Sequence, residues 1–160
     1  MTWAHIHLAL NHIPVVGILL AILLLGAAVV RQNIVLERTS YWLLAGLALL
    51  AVLVYFTGEP AEELVEGLPG YSEALVEHHE EAALIATIGM AVVGLAGAVA
   101  LARGRREVTA GSSTYSRVVL LLAVVVGGLM MWTANLGGQI GHPEIRGRGA
   151  AAAPMTAERD

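Results

Sequence analysis

The residues with most chemistry to offer are six histidines: His5, His7, His12, His78, His79 and His142. Imidazole titrates near neutrality and is the commonest side-chain ligand for metals. The chain has no cysteine, which excludes thiolate metal sites, iron–sulfur clusters, disulfides and covalent c-type haem attachment. Any bound group must therefore be held by His, Met, carboxylate or backbone atoms. Two chemistries suit the set. One is haem b held between two imidazoles from different helices. His12 and His79 are the first choice as axial pair, with His7 and His142 as alternates or as supporting hydrogen-bond donors. Ala82, Ala83, Ala86 and Gly89, with Ala134, Gly137 and Gly138, offer the small side chains that a flat ring needs near the backbone, although small residues also serve helix packing. The other chemistry is a bare transition-metal ion, iron, copper or zinc. Here His12, His78, His79 and His142 are the candidates, and the run Glu77-His78-His79-Glu80-Glu81 mixes imidazole with carboxylate. A di-iron centre of the bundle type needs repeated Glu-x-x-His, which the chain lacks. His5 reads as an ordinary interfacial histidine, and Met130 and Met131 as apolar filler.

These histidines must be positioned by membrane-spanning elements. The 160 residues are 57% hydrophobic and only 14% charged, where a soluble domain carries about a quarter charged residues. The apolar residues fall into four blocks, about 7–30, 41–57, 82–102 and 117–137, each near the roughly 20 residues that cross a bilayer. Backbone groups cannot stay unpaired in lipid, and the period-two pattern of a barrel is absent, so the blocks are helices. The expected fold is all-α: one antiparallel four-helix transmembrane bundle over residues 1–146, followed by an Ala-rich tail at 147–160 with some Arg. The segment 58–81 is an acidic connection with room for a short interfacial helix.

Charge sets the expected orientation. The chain has no lysine, and Arg31, Arg38, Arg103, Arg105, Arg106 and Arg117 all lie in or beside the two connections that share one side. The 58–81 connection has eight glutamates and no arginine. By the positive-inside rule the arginine side is cytoplasmic. Both termini and all six histidines then lie on the non-cytoplasmic side. Three helix ends bring imidazoles to that level: the start of span one, the start of span three and the end of span four. On an undistorted helix His7 and His12 point about 140° apart. They share a direction only if Pro14, which removes a backbone bond, bends the turn.

The stretch His7-Leu-Ala-Leu-Asn-His12-Ile-Pro14 resembles the opening motif of a family of small four-span bacterial membrane proteins, catalogued as domain of unknown function 2231. In that family the second span ends in Thr-Gly, as at Thr57-Gly58. The third opens with His followed by small residues, as from His79. The fourth ends in Leu-Gly-Gly followed by His, as at Leu136-Gly137-Gly138 and His142. Leu8 stands where the family has Pro, and His142 follows the glycine pair more closely. Members occur fused to c-type cytochrome domains, so the resemblance implies a redox role, a haem and a bacterial cytoplasmic membrane.

The sequence has no nucleophile–base pair, phosphate loop or hydrolytic motif, and no basic, aromatic-interleaved patch for nucleic acid. The expected function is that of a membrane electron carrier or electron-transfer subunit. Its partners would be the lipid bilayer and a periplasmic c-type cytochrome or larger redox complex. The alternatives are a small metal-binding membrane protein and a structural subunit of a respiratory or photosynthetic assembly.

Overall fold

The computed structural model describes residues 2–64, 66, 70–104 and 114–146. The tail at 147–160, Arg105 and Arg106 lie outside the described residues. Among these residues six α-helices form: α1 (Trp3–Leu10), α2 (His12–Arg31), α3 (Ile34–Tyr55), α4 (Gly58–Glu62), α5 (Glu73–Gly104) and α6 (Thr114–Gly141), with one 3-10 turn at Pro143–Ile145. Among the described residues there is no strand, so the all-α reading holds. Among the described residues four helical stretches are long and apolar enough to cross a membrane: Trp3–Arg31, which joins α1 to α2, Ile34–Tyr55, Glu73–Arg103 and Thr114–Gly141.

The helices run beyond the apolar blocks, for local reasons. The polar connection after α2 shrinks to Gln32 and Asn33. Gln32 turns left-handed at φ 51° and closes α2 through its N–H on the Ala28 carbonyl. Asn33 then caps α3, its Oδ1 accepting from the Val35 and Leu36 amides at 2.9 and 3.1 Å. At the other end, α5 starts nine residues before the third apolar block, at Glu73. Glutamates in a helix's first turns are favoured by its dipole, so the acidic run to Glu81 extends the helix. The first span breaks at Asn11, between α1 and α2. Pro14 lies in the first turn of α2 and has no N–H to offer the Leu10 carbonyl, so the helical ladder is interrupted there.

The spans pack as a ring, α2 on α3, α3 on α5, α5 on α6 and α6 back on α2. Ile18, Leu25, Leu44, Met90 and Val93 at its centre are fully enclosed. Outside it, Leu20, Leu23, Val30, Leu49, Leu95, Leu121 and Val125 are exposed, the apolar jacket that lipid requires. Lipid tails are as apolar as leucine, so helix association in a bilayer rests on close packing and interhelical hydrogen bonds. Gly97 supplies the first: a β-carbon there would stand 2.9 Å from the Tyr41 carbonyl of α3. The second comes from a network near the arginine-bearing end. The Ser116 hydroxyl of α6 donates to Glu37 Oε1 of α3 at 2.6 Å, and Tyr41 Oη lies 3.1 Å from both. Each such bond contributes on the order of 0.6 kcal/mol in a membrane bundle.

Candidate functional site

At the opposite end, the helices surround a cavity of about 900 Å³, within the range of ligand pockets, about 300–1,000 Å³. Four of the six histidines line it: His7, His12, His79 and His142. Its floor is apolar and small, with Ala51, Val54, Ala86, Met130 and Ala134. His5 and His78 are exposed and lie outside the lining. His78, a metal-ligand candidate by sequence, thus points away from the other four. Met130 is buried in the floor, whereas Met131 is exposed.

His7 and His79 are half-buried, while His12 and His142 are exposed. Their hydrogen bonds determine which ring nitrogen carries the proton. The Thr57 hydroxyl donates its one proton to the Val54 carbonyl at 2.6 Å. Towards His7 it can therefore only accept, so His7 Nδ1–H donates to Thr57 Oγ1 at 2.9 Å. A carbonyl cannot donate, so His79 Nδ1–H donates to the Thr133 carbonyl at 3.1 Å. The same holds for His12, whose Nδ1–H reaches the Leu8 carbonyl at 3.2 Å. His142 Nδ1–H donates to the Glu144 carboxylate at 2.9 Å. That bond helps hold the Glu144 carboxyl below the usual range, second to the residue's own backbone amide. All four rings thus spend Nδ1–H on a local acceptor and keep Nε2 for something else. Metal-ligating histidines are oriented this way, the outer N–H held by a carbonyl, hydroxyl or carboxylate.

The cavity is built from two equivalent halves. One constant sequence offset carries His7, Asn11, Pro14 and Val15 onto His79, Ala83, Ala86 and Thr87, and all eight line the cavity. The same offset carries buried Ile18 and Ala21 onto buried Met90 and Val93. A second constant offset carries Ala51, Val54, Tyr55 and Gly58 onto Met130, Thr133, Ala134 and Gly137, which also line the wall. The two offsets agree in space. Gly17 packs on Leu47, and its counterpart Gly89 packs on Leu47's counterpart, Val126. The bundle is therefore two parallel copies of a helix pair, related by a pseudo-twofold axis through the cavity. His7 and His79 are partners under that relation, each seated at a glycine of its own pair's second helix end. His79 Cε1 lies 3.0 Å from where a β-carbon on Gly137 would stand, and His7 Cε1 lies 3.9 Å from that of Gly58.

Sequence reading missed this equivalence because the paired positions share burial more than identity. His12, the first choice by sequence, and His7 both line the cavity, and the twofold counterpart of His12 is Leu84, outside the lining. Among the described residues no three His, Cys, Asp or Glu side chains gather as a metal site. Asn11 Oδ1 is buried in the wall with no hydrogen-bond partner among the described residues. Such an acceptor costs about 1–3 kcal/mol unless a bound group or water meets it.

A family model described as predicted membrane protein, DUF2231, matches residues 4–143, the span that holds every cavity-lining residue. No curated protein and no solved structure matches the chain. On the extent of that match and the four spans, the chain belongs to the DUF2231 family of predicted membrane proteins.

Proposed function

We propose that the protein is a membrane electron carrier whose cavity would hold one b-type haem through Nε2 of His7 and of His79. The observation that carries the reading is the twofold equivalence of these imidazoles. Both have Nδ1–H tied down, and they approach one cavity from its two halves. A flat macrocycle bound from both faces needs that disposition, whereas a bare ion needs several donors converging on a point. Gly137 leaves the His79 ring room, and the alanine-rich floor admits a flat group. Haem iron so held supplies one-electron exchange; the chain's part is to ligate, to exclude water and to set the ring orientation.

The cavity end carries Glu59, Glu62, Glu63, Glu66, Glu73, Glu77, Glu80 and Glu81, while Arg31, Arg38, Arg103 and Arg117 stand at the other end. By the positive-inside rule the cavity faces the periplasm of a bacterial cytoplasmic membrane. Clustered carboxylates there favour a basic soluble partner, such as a c-type cytochrome, by steering its approach.

The test is visible absorption of protein purified from haem-replete cells. The expected result is a Soret band and a sharp α-band on reduction. Bound iron, copper or zinc without a Soret band would instead favour the metal-binding reading, and neither would leave a structural subunit. A reporter fused after Asp160 reads the orientation and is expected outside.

A further inference from the structure

The two halves of the cavity match in shape but not in charge. Glu59, Glu62 and Glu80 line it, and the Glu62 and Glu80 carboxyls are close neighbours, so these three form one lip where α4 meets α5. The pseudo-twofold carries them onto Gly138, Gly141 and Leu8, which also line the cavity but cannot ionise. That second lip has imidazoles instead. His12 stands one helical turn beyond Leu8, on the same face, and His142 directly follows Gly141. Both line the cavity, and both have Nδ1–H already committed, so each meets an anion by taking up a proton at Nε2 and donating it, as a cationic ring. Behind this lip lies Arg146, at this end the one arginine among the described residues. Its guanidinium donates to the Gln139, Ile140 and Gly70 carbonyls at 2.7, 3.1 and 2.8 Å. That clamps the 142–146 strap across the end of α6 and holds a fixed positive charge beside His142.

We infer that the cavity orients its ligand by charge, taking an anionic edge against His12 and His142 and keeping it away from Glu59, Glu62 and Glu80. This rests on the haem reading above, and names what tells the two otherwise equivalent orientations apart. Haem b carries two carboxylates on one edge. Facing the acidic lip they would meet three carboxyl groups with no arginine or histidine of that lip between them. Facing the other they meet two imidazoles and one carboxylate, Glu144, which His142 already engages and whose charge Arg146 offsets. Like charges in contact cost binding, and charge-assisted hydrogen bonds are the stronger kind. His12 and His142 are thus orienting residues, distinct from the axial pair, which explains why the cavity holds four histidines when two suffice for the iron.

The experiment titrates haem b and its dimethyl ester, which lacks the charged edge, into apo protein in detergent, followed by the Soret band. The wild type is expected to bind the free acid about tenfold more tightly than the ester. In His12→Ala/His142→Ala both forms are expected to bind about as the ester binds the wild type, with the bis-imidazole spectrum retained. Both residues are exposed, so the double variant should fold. Equal binding of acid and ester by the wild type would overturn the inference while leaving the haem reading intact. A preference that survives the double variant would do the same. Absence of any saturable shift to a bis-imidazole Soret band with either form would overturn the haem reading, and the orientation inference with it.

Discussion

The His79 ring rests against the backbone of Gly137, so closely that a β-carbon at residue 137 would lie 3.0 Å from Cε1 and 3.4 Å from Nδ1. Contacts that short force the neighbour to move. Gly137→Ala is therefore expected to push the ring out of line and weaken haem retention about tenfold, near 1.4 kcal/mol. This runs against the gain of up to about 1 kcal/mol that alanine gives over glycine in a helix. Gly128→Ala is the control, because nothing lies within 4 Å of where its β-carbon would stand and it is outside the cavity lining, and it should bind haem normally. Titration with haem, followed by absorption, separates the two variants. Equal retention would deny that His79 needs its observed position.

Thr57 sets the tautomer of His7, because it accepts from Nδ1–H while donating to Val54. Thr57→Val keeps the shape and removes the acceptor. Loss of such a supporting partner typically costs 10- to 100-fold in metal affinity, and that range is expected here. Thr57→Ser should restore binding. Nitrogen NMR of the apo protein gives a readout independent of haem: His7 should be Nδ1-protonated in the wild type and mixed in Thr57→Val.

Much of the fold was legible because hydropathy is a property of single segments. Four apolar blocks dictate four spans, and arginine placement separates the two ends. Histidine convergence was legible for the same reason, since three helix starts or ends at one level must lie near one another. The partners of the rings were not. Thr57 and the Thr133 carbonyl reach His7 and His79 only through packing between helices, and no local pattern encodes a carbonyl's direction. How His7 and His12 each face the cavity depends on the break at Asn11 and on how α1 settles over α4, which no local pattern encodes. The internal twofold was hidden because Asn11 answers to Ala83 and Pro14 to Ala86, pairs that share a place and no chemistry.

Tyr71 Oη–H donates to Glu62 Oε1 at 3.0 Å. This bond first, then desolvation and the charges of Glu62, Glu66 and Glu73, pushes the phenol from 10.0 up to about 12. The folded state holds the proton more tightly, so the contact's contribution is whole below pH 10 and is lost as pH rises through about 12. Ultraviolet difference titration against Tyr71→Phe isolates this residue. Glu62→Ala should bring its midpoint back towards 10; an unchanged midpoint would contradict the assigned cause.

Electron exchange with a basic c-type cytochrome should slow as salt rises, because steering between exposed charges is screened within about 8 Å at physiological ionic strength. Changing Glu63, Glu66 and Glu73, exposed and outside the cavity lining, to Gln should slow it too while leaving the absorption spectrum intact. Stopped-flow rates indifferent to both changes would point to a partner held permanently within the membrane.

The central claim, one haem shared by His7 and His79, is met most directly by counting haem per chain in purified variants. Pyridine haemochrome assay against protein concentration is expected to give about one haem per chain in the wild type and in His5→Ala and His78→Ala, whose rings lie outside the cavity. His7→Ala and His79→Ala should each fall to near zero, since one imidazole alone leaves the iron half-held. Full occupancy in either of those two variants, or none in the wild type, would contradict the account.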